Sequence, residues 1–230
     1  MEAKKTLIGG IPAIIWGRDA QKVYLYVHGK MAYKECAEDF ARVAEQKGYQ
    51  TVSFDLPGHG ERKARAERCD IWSGVRDLSI VGDEVFARWP SVSLFACSIG
   101  AFFSLNAYQD RRIEKCLFQS PIVDMVGLIR NMMRWSNVTE DMLRAQKEID
   151  TPVDLLSWDY YTYVREHPIT SWRAPTQILY AAKDNLQTRE QIDAFVRRFH
   201  CGLTVSENSE HPFMAETDYP IVRRWMEENA

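Results

Sequence analysis

The chain has 230 residues, of which 46% are hydrophobic and 27% charged, and a net charge of −3. That make-up suits one globular domain with a full core and room for an inserted subdomain, and it leaves nucleic-acid binding without electrostatic support. No stretch approaches the length of a membrane span, and the five widely spaced cysteines, with no Cys-x-x-Cys pair, argue against both a disulfide framework and a zinc site. Residues 1–10 lack the apolar core of a signal peptide, so a reduced, cytoplasmic setting is the expectation.

Thr6–Ile8 and Ile11–Trp16 flank Gly9-Gly10, a hairpin signal. Lys22–His28 is almost wholly apolar, as a strand covered on both faces is, and it stops at His28-Gly29. Lys34–Lys47 reads as a helix with Cys36, Phe40, Val43 and Ala44 on one face, closed by Gly48. Gln50–Phe54 is the next strand and ends at the turn-forming run 55–60. The polar stretch 61–70 reads as a loop, with Arg62, Lys63 and Arg65 on a solvated face. Val75, Leu78, Val85, Phe86 and Trp89 space a helix that ends before Pro90. Residues 91–97 form an apolar strand and 99–108 a helix, with Ser98 on the sharp turn between them. Ile113–Phe118 is a further strand.

From His28 onward the alternation of strand and helix predicts a parallel sheet with right-handed crossovers. It pauses between Pro121 and Pro175, where Val126–Trp135, Glu140–Ile149 and Leu155–Arg165 look helical and aromatic-rich. Strand Thr176–Ala181, a helix around Arg189–Phe199, strand Leu203–Ser206 and a helix near Tyr219–Glu228 follow. The expected fold class is α/β: a mostly parallel eight-stranded sheet flanked by helices. Its core comprises 1–120 and 175–230, and a helical cap, 121–174, is inserted after the sixth strand, over the carboxyl edge of the sheet.

Sites in such sheets form beyond the carboxyl ends of the strands. The residues there are His28-Gly29-Lys30, Asp55–Gly60, Ser98, Ser120, Asp184 and His211. A serine between strand and helix has its hydroxyl clear of the sheet, beside the N–H groups of a helix N-terminus. Acyl transfer also needs a base for the hydroxyl proton and an acid to orient that base. His211 and Asp184 stand in those places, and Ser…Asp…His is one of the chain orders in which such sites occur.

His28-Gly29, Asp55-Leu-Pro-Gly-His-Gly60, Ala96-Cys-Ser98-Ile-Gly100, Asp184 and His211 together resemble the α/β-hydrolase family over nearly the whole chain. The nearest likeness is to small bacterial serine esterases, lipases, thioesterases and peptidases with a lid. The resemblance implies Ser98 as nucleophile, His211 as general base and then acid, and Asp184 as the orienting carboxylate. It also implies an oxyanion hole from the N–H groups of Ile99 and Lys30, donors that contribute about 10²–10³-fold in rate. No cofactor and no metal are implied, and the partner is a small-molecule acyl substrate. Two positions depart from the pattern. Ala96 stands where glycine is usual, and Lys30-Met31 follows His-Gly where another glycine is common.

Each residue also has a plainer reading. Ser98 suits an N-cap and Asp184 a turn, and Asp124, after the sixth strand, is the alternative acid. His28 shapes the oxyanion loop or borders the substrate, and His59 steadies its own turn. Cys97 packs away from Ser98. Lys30 is either solvated or meets an anionic substrate group. Trp135, Trp158 and Tyr161 are candidates for the substrate pocket, although cap aromatics are more often core. Glu140, Asp141, Glu148 and Asp150 offer carboxylates for a substrate amine, or a solvated helix face. The expected activity is carboxylic-ester hydrolysis, with thioesterase, aminopeptidase or non-catalytic ligand binding as the alternatives.

Overall fold

Val23–Val27 is buried throughout, so a strand built from it requires cover on both sides. Val23, Leu25 and Val27 face one layer and Tyr24 and Tyr26 the other, as the two-residue period of a strand demands. The computed structural model describes residues 1–65 and 67–230. Its strands are β1 (Ala3–Ile8), β2 (Ile11–Trp16), β3 (Lys22–Val27), β4 (Tyr49–Phe54), β5 (Ser91–Cys97), β6 (Cys116–Gln119), β7 (Glu148–Asp150), β8 (Leu155–Ser157), β9 (Thr176–Ala181) and β10 (Gly202–Ser206). The α-helices are α1 (Glu38–Gln46), α2 (Ile71–Arg88), α3 (Ile99–Ala107), α4 (Met125–Trp135), α5 (Glu140–Gln146), α6 (Trp158–Glu166), α7 (Arg189–Phe199) and α8 (Tyr219–Asn229).

Eight strands form one sheet in the order β1-β2-β4-β3-β5-β6-β9-β10. β1 and β2 pair antiparallel, as do β2 and β4, and every other pair is parallel. The order reverses at β3. Helix α1 leads to β4 on one side, and α2 then carries the chain to β5 on the other. The carboxyl ends of β3 and β5 therefore lie side by side at the switch point, where open α/β sheets place their sites. Leu78, Val81, Val85 and Phe103 cover one face. On the other, the Phe95 ring stacks on Tyr26 at 4.8 Å, meets Phe40 of α1 at 4.5 Å and reaches Trp225 of α8 at 6.3 Å. Each such ring stabilises the layer by roughly 1.5–3 kcal/mol through area removed from water.

The segment between β6 and β9 lies over the carboxyl edge of the sheet, and its side chains share a cavity with Ser98. The three expected helices are present as α4, α5 and α6, but the second and third are shorter than expected and a hairpin lies between them. Helix α5 stops at Gln146, because Lys147 takes a left-handed backbone, φ 68°. Residues 148–150 then pair antiparallel with 155–157 across a turn through Pro152.

Three further differences have local causes. Residues 34–37 form a 3₁₀ turn ahead of α1, and its tighter winding takes Cys36 off the buried face while Lys34 points inward. β6 starts at Cys116, later than Ile113, which is buried but outside the ladder. Arg62 is not solvated. It is buried, donates to the Asp55 carbonyl at 3.0 Å, and pairs with Asp77 and Glu67. Its guanidinium replaces water for a carboxylate that α2 carries inside the protein.

The Arg62–Asp77 pair is 2% exposed on each side, so removing Arg62 leaves the buried Asp77 carboxylate with only the half-exposed Arg76, at 2.8 Å. Arg62→Leu is expected to cost about 3–5 kcal/mol in urea unfolding. The double variant Arg62→Leu/Asp77→Leu is expected to recover most of that loss.

Candidate active site

Ser98 stands at the elbow between the last residue of β5 and the first of α3, with φ 51° and ψ −122°. That left-handed backbone is costly for a residue with a side chain, and it persists only where its surroundings over-determine it. The Ser98 N–H donates to the Gln119 carbonyl at 3.1 Å, and the Ser98 carbonyl accepts from Ala101 at 3.0 Å and Ile122 at 3.1 Å. Helix α3 can start this close to β3 because residue 100 is glycine. A Cβ there would lie 2.5 Å from the His28 carbonyl oxygen and 2.8 Å from that of Val27. Ala96, where a second glycine was usual, fits inside the sheet with no exposure.

The Ser98 Oγ lies 2.8 Å from His211 Nε2. On the other side of the ring, His211 Nδ1 is 2.8 Å from Asp184 Oδ2. A carboxylate only accepts, so Nδ1 carries the proton and Nε2 is free to accept from the serine hydroxyl. The second carboxylate oxygen of Asp184 accepts from the N–H groups of Leu186 at 2.7 Å and Gln187 at 3.1 Å. The arrangement can move a proton from hydroxyl to imidazole and hold the imidazolium against a fixed negative charge.

Two polar residues that sequence reasoning missed hold these loops. Gln187 is fully buried. Its Oε1 accepts from Val123 and Asp124 at 2.8 Å and its Nε2 donates to the Asp124 carbonyl at 3.1 Å, tying the loop after β9 to the loop after β6. Buried Asp218 accepts from Ser209 Oγ at 2.6 Å and from the Ala215 N–H at 3.1 Å, across the loop that carries His211. Neither belongs to a pattern of period 2 or 3.6, and their burial is the only signal. Asp124, the alternative acid, is occupied elsewhere. It caps α4 through the Gly127 N–H at 2.8 Å and accepts from Gln191 Nε2 at 2.7 Å.

The N–H of Ile99 lies in the first turn of α3, where donors have no acceptor within the helix. The Gly29-Lys30 loop runs directly against the elbow, since a Cβ on Gly29 would stand 3.1 Å from Ser98 Cβ. The Lys30 ammonium is paired with Asp154 from the β7–β8 turn, so its charge is already answered. His28 lines neither of the cavities beside Ser98. It is buried, its Nδ1–H donates to the Gly29 carbonyl at 2.7 Å, and its Nε2 accepts from the Leu56 N–H at 3.0 Å. The ring therefore staples the loop after β3 to the loop after β4. Cys97 packs among the residues on the α1 and α8 face, and burial pushes its thiol up to about 12.

Two cavities meet beside the elbow. A small one, about 130 Å³, is walled by Ser98, Ile122, Met125, Leu128, Ile129 and Met132. The other is an outer cleft of about 1000 Å³ with Trp72, Lys63, Arg68 and Asp159 on its walls. Lys30, Asp154, Leu155 and Tyr160 border both. The three aromatic residues expected in the pocket are not there. Trp135 is on the surface, Trp158 packs under Arg144, and buried Tyr161 bonds Glu140 and Arg130 within the cap. Aliphatic and methionine side chains do the lining instead, because the rings stabilise the small cap itself. Among the described residues no group of three His, Cys, Asp or Glu side chains is placed to hold a metal ion.

The sheet order, the elbow at its switch point and the helical insertion after β6 define an enzyme of the α/β-hydrolase fold. The family model described as serine aminopeptidase, S33, matches residues 18–154, and the chain belongs to that family. A segment of 137 residues is 28% identical to 20-hydroxy-prefusarin hydrolase FUS2 of Gibberella moniliformis; it covers 55% of this chain and 30% of that protein. Est1E from Butyrivibrio proteoclasticus, solved with ferulic acid, is similar with a TM-score of 0.77 at 16% identity, over 98% of this chain and 97% of that one. Mouse alpha/beta hydrolase domain-containing protein 10 is similar at 0.77 and 12% identity, over 99% and 98%. The monoacylglycerol lipase of Paleococcus ferrophilus gives 0.66 at 15% identity, over the full length of both chains. No helix among the described residues is long and apolar enough to cross a membrane.

Burial lowers the pKa of His28 to about 4 from its ordinary 6.5. Between those values the unfolded chain binds the proton and the folded one does not, so stability rises with pH across the window. Near pH 5 the wild type is expected to have lost about 2 kcal/mol relative to pH 7.5 through this group. Urea unfolding at both pH values, compared with His28→Gln, isolates the contribution, and the variant's stability is expected to vary less with pH.

Proposed function

We propose that the chain hydrolyses carboxylic esters through an acyl-enzyme on Ser98. The observation that carries this reading is a continuous hydrogen-bonded line, Ser98 to His211 to Asp184, whose hydroxyl end opens on an aliphatic cavity. Ser98 Oγ attacks the ester carbon as His211 Nε2 takes the hydroxyl proton. The carbonyl electrons move to the oxygen, which the N–H groups of Ile99 and Lys30 face. Collapse breaks the bond to the leaving alcohol, which receives the proton from His211. Water then enters, gives its proton to the same nitrogen and attacks the acyl carbon. Ser98 departs as the alcohol with that proton, and the acid is released.

In this reading residues 1–120 and 175–230 form the core that carries the chemistry, and residues 121–174 form a cap that carries the walls. The five cysteines are free thiols, which suits a reducing, cytoplasmic compartment. Thioesters would follow the same steps. The family description favours a second reading, aminopeptidase activity. A substrate ammonium would need a free carboxylate near the elbow. Glu148 is paired with Arg68, Asp154 with Lys30 and Glu67 with Arg62, while Asp70 caps α2. Asp159 and the helix-capping Asp70 are the cleft carboxylates without an ion-pair partner among the described residues, but neither lines the cavity at Ser98, whose carboxylate Asp154 is paired with Lys30, and esters are the better fit.

Ser98→Ala is expected to lower kcat for short p-nitrophenyl esters by at least about 10³-fold with an unchanged far-UV spectrum. A fluorophosphonate is expected to label Ser98 alone, read by peptide mass spectrometry. A panel that sets these esters beside thioesters and aminoacyl p-nitroanilides decides among the acyl bonds. Faster turnover of the anilides would replace the ester reading with the peptidase one.

A further inference from the structure

Gln119 is the last residue of β6 and follows the buried Cys116, Leu117 and Phe118. Leu117 packs in the layer of α1 and α8, and by the two-residue period of a strand Gln119 points to the same side. It lines neither of the cavities beside Ser98. An apolar side chain would continue that layer without an amide to satisfy. The bonds of Gln119 explain why an amide stands there. Its carbonyl accepts the Ser98 N–H at 3.1 Å, one rung beyond the β5–β6 pairing of Cys97 with Gln119. Its side-chain Nε2 donates to the carbonyl of Pro212, the residue after His211, at 2.9 Å.

His211 stands in a tight turn, in which the Phe213 N–H donates to the Glu210 carbonyl at 2.7 Å. Ahead of the turn, the Ser209 carbonyl accepts from the Lys183 N–H at 3.1 Å. Beyond it, Phe213 packs into the α1 and α8 layer. The bonds of Asp218 to Ser209 and Ala215 lie within the loop, so they keep its shape and not its distance from β5. Gln119 ties the turn to the strand beside β5, and the same residue holds the elbow. Resting on the reading of Ser98 as nucleophile and His211 as base, we propose that Gln119 is a positioning residue for the pair. It holds the nucleophile through its carbonyl and the base through its amide. It thereby fixes the 2.8 Å reach from Ser98 Oγ to His211 Nε2. A misplacement of reacting groups by about 1 Å costs about 10²-fold in rate.

Gln119→Met keeps the length of the side chain and removes the donor, while the backbone rung to Ser98 stays. Its kcat for p-nitrophenyl butyrate is expected to fall by about 10- to 100-fold with KM within about 2-fold of the wild type. The melting temperature is expected to stay within a few degrees. His211 takes a proton in both acylation and deacylation, so fluorophosphonate labelling of Ser98 is expected to slow in proportion to kcat. Gln119→Asn keeps the amide one methylene short of Pro212 and is expected to lose kcat in the same direction. It decides the matter if the methionine variant does not fold. A role in packing alone predicts a lower melting temperature with kcat unchanged per folded molecule. That result overturns the proposal, and so does a loss of kcat/KM carried by KM. If Ser98 does not label in the wild type, the nucleophile reading fails and this role falls with it. If the wild type labels and both variants label at its rate, only the role of Gln119 fails.

Discussion

The whole arrangement depends on how near α3 comes to β3. At Gly100 the gap between helix and strand is too narrow for a methyl group, because the carbonyls of Val27 and His28 already stand at contact distance. With the helix that close, the chain must turn within one residue, and Ser98 takes the left-handed backbone that results. The strain is local and costs of order 1–3 kcal/mol. It is outweighed by burial of the apolar faces that the same approach brings together. The outcome is a hydroxyl fixed above the sheet, in line with the donors of a helix N-terminus.

Around that point, loops are held by buried polar side chains, each satisfied from more than one segment. The Asp55 carboxylate accepts from the Lys34 backbone at 2.9 Å, the Lys34 ammonium at 2.8 Å and the Glu61 N–H at 3.0 Å. His28 bridges the loops after β3 and β4, Gln187 those after β6 and β9, and Asp218 closes the loop with His211. Loops otherwise move more than the elements they join. Here the N–H groups beside Ser98 and the imidazole at 2.8 Å inherit the rigidity of the sheet through these contacts.

The sheet, its crossovers and the insertion after the sixth strand were legible because they rest on periodicity. So was the meeting of Ser98, Asp184 and His211, since strand ends bring distant residues to one edge. What escaped is what periodicity does not encode. Arg62 looks like part of a basic surface run, yet a carboxylate two turns into α2 draws it inside. Trp135, Trp158 and Tyr161 look like a pocket, yet a cap of about fifty residues has a small interior and spends two of the three rings on its own cohesion. The hairpin 148–157 is polar and short, and its pairing is set by the left-handed Lys147 and the Thr151–Asp154 turn. No amphipathic pattern announces it.

The insertion leaves the sheet after β6 and returns at β9, and these two strands are hydrogen-bonded neighbours, with Cys116 opposite Thr176. Its two ends are thus fixed at opposite ends of one parallel strand pair, whatever lies between them. Beyond residues 122–124, which bond Ser98 and Gln187, length and sequence up to the start of β9 can change without shifting the register of any sheet strand. The cavity walls can therefore vary while the sheet edge that holds Ser98, Asp184 and His211 stays as it is. Within this chain the freedom is narrowest at Asp154, where the insertion grips Lys30 and so touches the loop that faces the elbow.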